Sequence, residues 1–153
     1  INTVINNSLL MVGTQFKDHG ITLSVNLKEN MPMIVGDKYK LEQVVLNLLS
    51  NARHAVDEKE EQSNLFDYQK QIEVTTYDDE VNVYISIKDN GTGISQQNIN
   101  KIYDPFFTTK KEGQGTGLGL SIAYGLIKDI LGDIKVDSVM GEYTNFTLVI
   151  PKS

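Results

Sequence analysis

Apolar positions recur along the chain with two different periods. From Lys38 to about Glu58, and again over 118–131, apolar side chains return every three to four positions, which predicts two amphipathic helices. Asp37 directly precedes the first of these helices and is its expected N-cap. A looser pattern of the same period over 1–16 predicts another helix. The apolar positions of the helix that begins at Lys38 are Leu41, Val44, Val45, Leu48, Leu49, Ala52, Ala55 and Val56.

Alternation of apolar and polar residues predicts strands between and after these helices. A short apolar segment, 33–37, follows the first strand, and two later strands pair around a turn near 78–80. The polar segment 57–70 is expected to be a connecting loop or a helix extension. The predicted strands are ITLSVNL (21–27), QIEVTTYDD (71–79), VNVYISIKD (81–89), DIKVDSV (133–139) and NFTLVIP (145–151).

The glycine-rich segment 90–117 predicts only a short helical piece, near 95–102. So long a stretch without regular structure inside a compact domain is usually functional. Helices and strands are mixed, and the last strands run as hairpins. The pattern therefore predicts an α/β (α+β) two-layer sandwich, with helices on one face of a mainly antiparallel sheet.

Composition narrows the classes of function. The 153 residues suit one domain, and the net charge of −6 without a basic stripe makes nucleic acid a poor candidate ligand. No apolar stretch reaches the roughly 18 residues that span a bilayer. The absence of cysteine excludes disulfides and thiolate metal sites. Because the chain begins at Ile1 in helix-like sequence, we expect it to be a fragment of a longer protein.

Four polar side chains share one stripe of the helix that begins at Lys38. Gln43, Asn47, Asn51 and His54 lie along it, beside the apolar stripe, and therefore at the edge of a pocket. An amide oxygen can coordinate Mg²⁺, and an amide NH₂ can donate to phosphate. The stripe indicates a ligand site; the alternative is a solvated helix face that contains asparagine.

A second cluster, KDNGTGI (88–94), directly follows a predicted strand. The carboxylate of Asp89 can accept a hydrogen bond from an exocyclic amine. Gly91 and Gly93 allow a ligand and the backbone to approach closely. The alternative is an ordinary turn, since Asn-Gly is a common turn dipeptide.

A third cluster is DPFFTTKK (104–111). Phe106 and Phe107 are adjacent in a loop and cannot easily both be buried, so one is expected to pack beneath the loop while the other faces a partner. Lys110 and Lys111 are among the few cations near the glycines. The alternative is a loop anchored by a single aromatic side chain.

The fourth cluster, GQGTGLGLSI (113–122), leads from glycines directly into a helix. Successive N–H groups and the positive end of the helix together predict an anion site. The segment is not a P-loop, because no Lys-Ser/Thr follows the glycines. It also lacks the final glycine and the preceding strand of the dinucleotide fingerprint.

In this order and spacing, the four clusters resemble the ATP-binding catalytic domain of sensor histidine kinases. This is one branch of the superfamily that includes gyrase, the ninety-kilodalton heat-shock chaperones and MutL. The resemblance covers nearly the whole chain, from about Asn2 to Pro151, and the short span between PFFTTK and GTGLGL resembles the compact lid of nitrogen-regulation-type kinases. The matching motifs are NLLSNARHA (47–55), DNGTGI (89–94), DPFFTTK (104–110) and GQGTGLGL (113–120).

The resemblance implies a Bergerat-type sandwich, with about three helices over a mixed five-stranded sheet. It also implies ATP and Mg²⁺ as ligands. Asp89 would accept from the adenine amine, directly and through water. Asn51 would coordinate Mg²⁺ with Asn47 beside the phosphates, and Lys110 would pair with phosphate across the lid.

The resemblance makes Asn47, Asn51 and Lys110 the expected catalytic residues and Asn51 the expected metal ligand. Either Arg53 or His54 is expected to reach phosphate, and the lid glycines would let backbone amides cradle the β and γ groups. The expected nucleotide-binding residues are Asn47, Asn51, Arg53, His54, Asp89, Gly91, Gly93, Ile94, Phe107, Thr108, Thr109, Lys110, Gly115, Thr116, Gly117, Leu118, Gly119 and Leu120.

The resemblance further implies that the chain, 1–153, is a single catalytic domain from the C-terminal part of a longer kinase. The nucleophile would be a histidine of a separate dimerisation and phosphotransfer domain, which then serves a response regulator. His19 and His54 lack the sequence context of that acceptor. We expect a monomeric, cytoplasmic domain and a homodimeric parent, with or without a membrane anchor.

Two alternatives stay open at the level of sequence. One is a nucleotide-sensing interaction module without phosphoryl transfer, and the other is a protein serine kinase of the anti-sigma type. Gyrase-type relatives hydrolyse ATP with a glutamate at the position of Asn47, and an amide cannot act as a general base. Slow hydrolysis is therefore expected. The segment MGEYTNF (140–146) departs from the Gly-x-Gly-Thr-x-Phe turn of the family and leaves only the shape of the last hairpin in doubt.

Overall fold

The computed structural model describes residues 1–62, 67–108 and 118–153. In chain order its elements are α1 (Asn2–Asp18), β1 (Thr22–Leu27), α2 (Lys38–Gln62), β2 (Gln71–Asp78), β3 (Asn82–Asp89), α3 (Gly119–Asp129), β4 (Asp133–Val139) and β5 (Tyr143–Pro151). These elements confirm the predicted sandwich of helices on a mixed five-stranded sheet.

The five strands form one sheet in the order β1-β2-β3-β5-β4. The β1–β2 pair is parallel, and the other three pairs are antiparallel. Side chains on β5 alternate strictly between buried and half-buried positions. This alternation shows that one face of the sheet is covered and the other meets solvent.

Helix α2 carries the core. Its apolar stripe is buried against the sheet, and α1 and α3 pack against its sides. The helix begins as predicted, because the Asp37 carboxylate accepts hydrogen bonds from the backbone N–H groups of Tyr39, at 2.8 Å, and Lys40, at 3.4 Å. The largest fully buried side chains include Phe16, Ile5, Leu48, Leu49, Ile72, Ile85, Ile87, Ile127, Leu148 and Ile150.

Three details differ from the sequence-based expectations. Helix α2 runs to Gln62, one turn beyond the predicted end, so part of the polar segment 57–70 is a helix extension. Segment 33–37 does not join the sheet. The expected helical piece near 95–102 is a series of turns closed by hydrogen bonds such as Ile99 N–H to the Ser95 carbonyl, at 3.0 Å.

Two glycines after β3 are set by packing. A Cβ on Gly91 would lie 2.5 Å from the backbone carbonyl carbon of Ala55, so the chain can run against α2 only without a side chain there. Gly93 has a φ of +70°, and a Cβ on it would lie 2.2 Å from the carbonyl oxygen of Val139. Together they clamp the end of β3 between α2 and the turn that joins β4 to β5.

Thr92 completes this clamp with backbone hydrogen bonds in both directions. Its N–H donates to the Ala55 carbonyl at 3.3 Å, and its own carbonyl accepts from the Gly141 N–H at 2.6 Å. The clamp therefore joins the helical layer to the sheet at one end of the sandwich. Within the described ranges, no helix is long and apolar enough to cross a membrane.

We expect Gly91→Ala to destabilise the chain by about 1–3 kcal/mol or more, because the added Cβ meets helix backbone that cannot rotate away. Gly13→Ala is the matched control. It lies inside α1 with nothing within 4 Å of the added Cβ, and it should gain about 0.5–1 kcal/mol from helix propensity. Urea denaturation of both variants measures the difference, and equal effects of the two substitutions would contradict this account of the clamp.

Candidate functional site

A cavity of about 470 Å³ lies between α2, the end of the sheet and the segment after β3. This volume is typical of sites for small ligands. Residues of the cavity wall that the sequence motifs predict are Asn47, Asn51, His54, Asp89, Gly93, Ile94, Phe107, Thr108, Gly119 and Leu120. The structure thus brings together residues from all four predicted clusters, the fourth of which contributes Gly119 and Leu120 at the start of α3.

A row of three polar residues crosses three strands at the floor of the cavity, and two of them, Asp89 and Thr144, line it. Asp89 on β3 is the register partner of Thr144 on β5, which is in turn the partner of Ser138 on β4. All three are at most 5% exposed. The other inward positions of these strands are apolar. The row is therefore the polar end of an apolar sheet face.

Asp89 is the buried acid of this row. Burial raises the pKa of Asp89 to about 7, although the Gly91 N–H donates to its carboxylate at 2.8 Å and the charge of Lys59 acts in the opposite direction. A buried carboxylate with capacity to accept further hydrogen bonds suits a ligand that brings donors to it. The pKa near 7 also gives this group a measurable influence on stability.

Three members of the predicted polar stripe on α2 line the cavity. Asn47 donates from Nδ2 to the Gly119 carbonyl at 3.2 Å, which ties α2 to the first residue of α3. Nδ2 of Asn51 is buried and has no hydrogen-bond partner among the described residues. Gln43, the fourth member of the stripe, is exposed and lies outside the cavity.

Arg53 does not line the cavity. Its guanidinium lies against Asp57, with Nη1 3.4 Å from the carboxylate, and Nη2 lies 3.2 Å from Nε2 of His54. Of the two residues expected near phosphate, the structure therefore brings His54 to the cavity, with Arg53 beside it.

The two phenylalanines of the third cluster divide as expected. Phe107 packs against the core and lines the cavity, and its N–H donates to the Asp104 carbonyl at 3.1 Å. Phe106 is 72% exposed and has a φ of +66°, a conformation that costs a bulky residue of order 1–3 kcal/mol. One aromatic side chain anchors the loop, and the other is presented to solvent.

Several expected site residues lie outside the described part of the chain. These are Thr109, Lys110, Gly115, Thr116 and Gly117, together with Lys111 and Gly113 of the same clusters. Leu118 is described as the N-cap of α3 and does not line the cavity, whereas Gly119 and Leu120 do. Gly91 also lies outside the cavity wall, and its contact is with helix α2.

The predictions from sequence missed about half of the residues that line the cavity. The missed residues are Ser50, Ala55, Glu58, Gln62, Thr92, Ser95, Asn98, Ile102, Met140, Thr144 and Phe146. Strand alternation could have placed Thr144 and Phe146 on the inner face, but their position beside Asp89 and Ile87 depends on the β3–β5 register. Met140 lies in the turn segment of MGEYTNF, so the departure from the family pattern borders the cavity itself.

The residues present fit a magnesium nucleotide. An unsatisfied amide N–H of Asn51 matches the acceptor oxygens of phosphate, and its carbonyl oxygen is a hard ligand of the kind that Mg²⁺ prefers. In the described residues, no group of three or more His, Cys, Asp or Glu is arranged to hold a metal ion. A magnesium ion at this wall would therefore depend on amide and phosphate oxygens.

We expect Asp89→Asn to stabilise the chain at high pH. The folded state holds a proton on Asp89 up to about pH 7, whereas the unfolded state releases it near 4, so stability from this group is present below 4 and is lost as pH rises through 7. The Asp89→Asn variant has no group at this position that ionises, so its stability does not fall in this way as pH rises. At pH 8 it should exceed the wild type by up to about 4 kcal/mol, and the difference should vanish toward pH 4.

Urea denaturation at a series of pH values gives this comparison. Asp133→Asn is the control of opposite sign, because the Lys128 ammonium, 2.9 Å away, lowers the pKa of Asp133. That variant should not gain stability at pH 8. A wild type and an Asp89→Asn variant with parallel pH profiles would refute the raised pKa.

Comparison with known proteins agrees with this geometry. The family model described as histidine kinase-, DNA gyrase B- and HSP90-like ATPase matches residues 36–153. The chain is 35% identical over 151 residues to the sensor histidine kinase ZraS of Escherichia coli K12, covering 99% of the chain and 30% of ZraS. It is also 35% identical to the signal transduction histidine-protein kinase AtoS of the same organism, covering 23% of that protein.

The chain therefore spans less than a third of the length of these two relatives. Among solved structures, the nucleotide-free catalytic domain of the histidine kinase ThkA superposes with a TM-score of 0.83 at 29% identity, covering 99% of this chain and 92% of that one. The resemblance read from the four motifs and the predicted fold class are both confirmed. The chain belongs to the family of histidine kinase-, DNA gyrase B- and HSP90-like ATPases, as an ATP-binding catalytic domain of the sensor histidine kinase type.

Proposed function

We propose that the chain binds Mg-ATP and donates the γ-phosphate to a histidine of a separate phosphotransfer domain, within a two-component signalling protein. One observation carries the proposal. A single cavity has a buried carboxylate, Asp89, on its floor and an unsatisfied amide, Asn51, on its facing wall. The first suits an amine-bearing base, and the second suits phosphate with its metal ion.

The base would lie on the polar row of the sheet. Asp89, when ionised, accepts from the exocyclic amine of adenine, a charge-assisted hydrogen bond in a site sheltered from water. Ile94, Ile102 and Phe146 border the same cavity and supply apolar surface for the ring. Thr144, beside Asp89 in register, is the second polar group within reach of the base.

The phosphates would lie toward Asn47 and the start of α3. Asn51 can donate from Nδ2 to phosphate and hold Mg²⁺ through Oδ1, and His54 lines the same wall. The backbone N–H groups that begin α3 add partial positive charge. Bound Mg²⁺ would supply charge neutralisation at the phosphates. Lys110, Gly115 and Gly117 stay expected phosphate contacts that lie outside the described residues.

Catalysis by this chain would consist of positioning and electrostatics. Phosphoryl transfer asks little covalent chemistry of the protein. The side chain at position 47 is an amide, committed by its N–H to the Gly119 carbonyl, and it cannot remove a proton from water. Glu58 also borders the cavity, but it lies 11 residues beyond Asn47 along α2, which corresponds to about 16 Å at 1.5 Å per residue. Intrinsic hydrolysis should therefore be slow.

Neither histidine of the chain is a suitable phosphoacceptor. Nδ1 of His19 lies 2.8 Å from the Asp57 carboxylate, which itself pairs with Lys70 at 3.0 Å. His54 forms part of the nucleotide cavity and lies against Arg53. The acceptor is thus expected on another domain, which fits the short share of the kinases ZraS and AtoS that this chain covers.

In the intact protein we place this domain in the cytoplasm, where ATP is available, with or without a membrane anchor elsewhere in the parent. The isolated chain would be a monomer and the parent a homodimer, with a response regulator as the final acceptor. In the described residues, no observation favours nucleotide sensing without transfer or a serine kinase of the anti-sigma type.

We expect Mg²⁺ to raise the affinity for ATP and EDTA to reverse the gain, because a chain of net charge −6 must rely on the metal ion and on local donors to bind an anion. Asn51→Ala should lose this gain. Gln43→Ala is the matched control, since it removes an amide from the same helix outside the cavity and should behave as wild type. Calorimetric titration with ATP measures both. Magnesium-independent binding would exclude the metal role of Asn51.

We expect no stable phosphoryl label on this chain after incubation with radiolabelled ATP, because both of its histidines are engaged elsewhere. Label should appear on the acceptor histidine when the phosphotransfer domain of the parent protein is added, and Asn51→Ala should abolish it. Label on His19 or His54, or steady ATP turnover that Asn47→Ala removes, would contradict the proposed mechanism.

A further inference from the structure

The polar row that begins on the cavity floor ends, behind Thr144, in the saturated hydroxyl of Ser138, which does not line the cavity. Oγ of Ser138 lies 2.7 Å from the Tyr143 carbonyl oxygen, 2.8 Å from the Ile94 nitrogen and 3.0 Å from Oγ1 of Thr144. A carbonyl oxygen only accepts, so the single proton of Ser138 is donated to Tyr143. The Ile94 N–H only donates, so it fills one lone pair of Ser138.

These two assignments fix the direction of the hydrogen bond between the Ser138 and Thr144 hydroxyls. With its proton used, Ser138 can meet the Thr144 hydroxyl only as an acceptor, and Thr144 must donate. Both residues are at most 5% exposed, so water does not offer an easy alternative arrangement. The proton of Thr144 therefore faces Ser138, and the lone pairs of Thr144 are left for the cavity and for the side of Asp89.

We propose that Ser138 is a positioning residue for base selection: by accepting the Thr144 proton, it makes the cavity floor acceptor-only, which selects a 6-aminopurine over a 6-oxopurine nucleotide. This inference rests on the proposed nucleotide function. Asp89 and Thr144 are side by side in register, and an exocyclic amine brings two hydrogens to this pair, directly or through one water. A 6-oxo group brings only lone pairs to the same place.

The inference gives Ser138 a role that is distinct from that of Asp89. Asp89 supplies a charged acceptor by itself, whereas a threonine hydroxyl can ordinarily turn to donate or to accept. Among the residues that the structure describes, the contact with Ser138 is the one that fixes it as an acceptor. Without Ser138, Thr144 could turn its proton to an incoming carbonyl, and the floor would tolerate both kinds of base.

Calorimetric titration of this chain with Mg-ATP and Mg-ITP at pH 8, where Asp89 is largely ionised, tests the proposal. The wild type should prefer ATP by at least about tenfold, the scale of one hydrogen bond to a buried group. Ser138→Ala should reduce the ratio of ATP to ITP affinity about tenfold, mainly by improving ITP. Ser138→Thr, which keeps the hydroxyl, should retain the wild-type ratio.

The ratio is the decisive quantity, because a merely loosened site would weaken both nucleotides together. Ser86→Ala is the matched control. It removes a hydroxyl that lies 2.7 Å from Oδ1 of Asn145 on the opposite face of the sheet, and it should leave the ratio unchanged. Equal losses for the two nucleotides in Ser138→Ala, or an unchanged ratio, would overturn the proposal.

Thr144→Val provides a second route if Ser138→Ala does not fold. Removing an acceptor should cost ATP affinity more than ITP affinity, whereas removing a donor would do the reverse and refute the inference. The outcomes distinguish a failure of the proposed nucleotide function from a failure of the proposed role of Ser138. A folded wild type that binds no ATP would refute both the function and the selection, while ATP binding without discrimination against ITP would refute only the role of Ser138.

Discussion

The burial of one carboxylate at the end of β3 governs the arrangement around it. An ionised Asp89 in this position is costly unless donors reach it, and the protein itself supplies one close donor, the Gly91 N–H at 2.8 Å. The remaining lone pairs face a cavity. The hydrogen bonding of Asp89 is thus incomplete within the described residues, and a ligand that carries an amine can supply the further donors. The burial of this carboxylate lowers the stability of the protein without ligand, and donors from a ligand offset that cost when it binds.

The clamp after β3 makes that arrangement possible. Without a side chain at Gly91 the strand end lies against the backbone of α2, and Thr92 bonds to both layers. The acid on the sheet and the amides on the helix are therefore held at fixed separation by backbone contacts. The polar row then extends the same floor sideways, from Asp89 through Thr144 to Ser138. The residue proposed to bind the base, Asp89, and the clamp that joins the two layers therefore lie within five consecutive positions, 89–93.

Much of the secondary structure and of the core could be predicted from sequence, because periodicity indicates which face of a helix or strand is buried. The α2 stripe, the capping by Asp37 and the alternating strands were all readable in this way. Strand order and register were not, since they depend on contacts distant in sequence. For that reason Thr144 and Ser138 were missed although Asp89 was found. Gln43 shares the helix stripe but not the cavity, because the stripe continues beyond the end of the cavity.

With a pKa of about 7 for Asp89, the proposed mode of nucleotide binding also moves protons. Near neutral pH, about half of the empty molecules carry the neutral acid. In the proposed binding mode the amine donates to the ionised form, so binding near neutral pH is coupled to proton release from the molecules that carry the neutral acid. The measured heat of binding then depends on the ionisation enthalpy of that buffer, and the apparent affinity depends on how much of the protein is already ionised. A shift of acidity across the neutral range would change occupancy of the site without any change in the concentration of nucleotide.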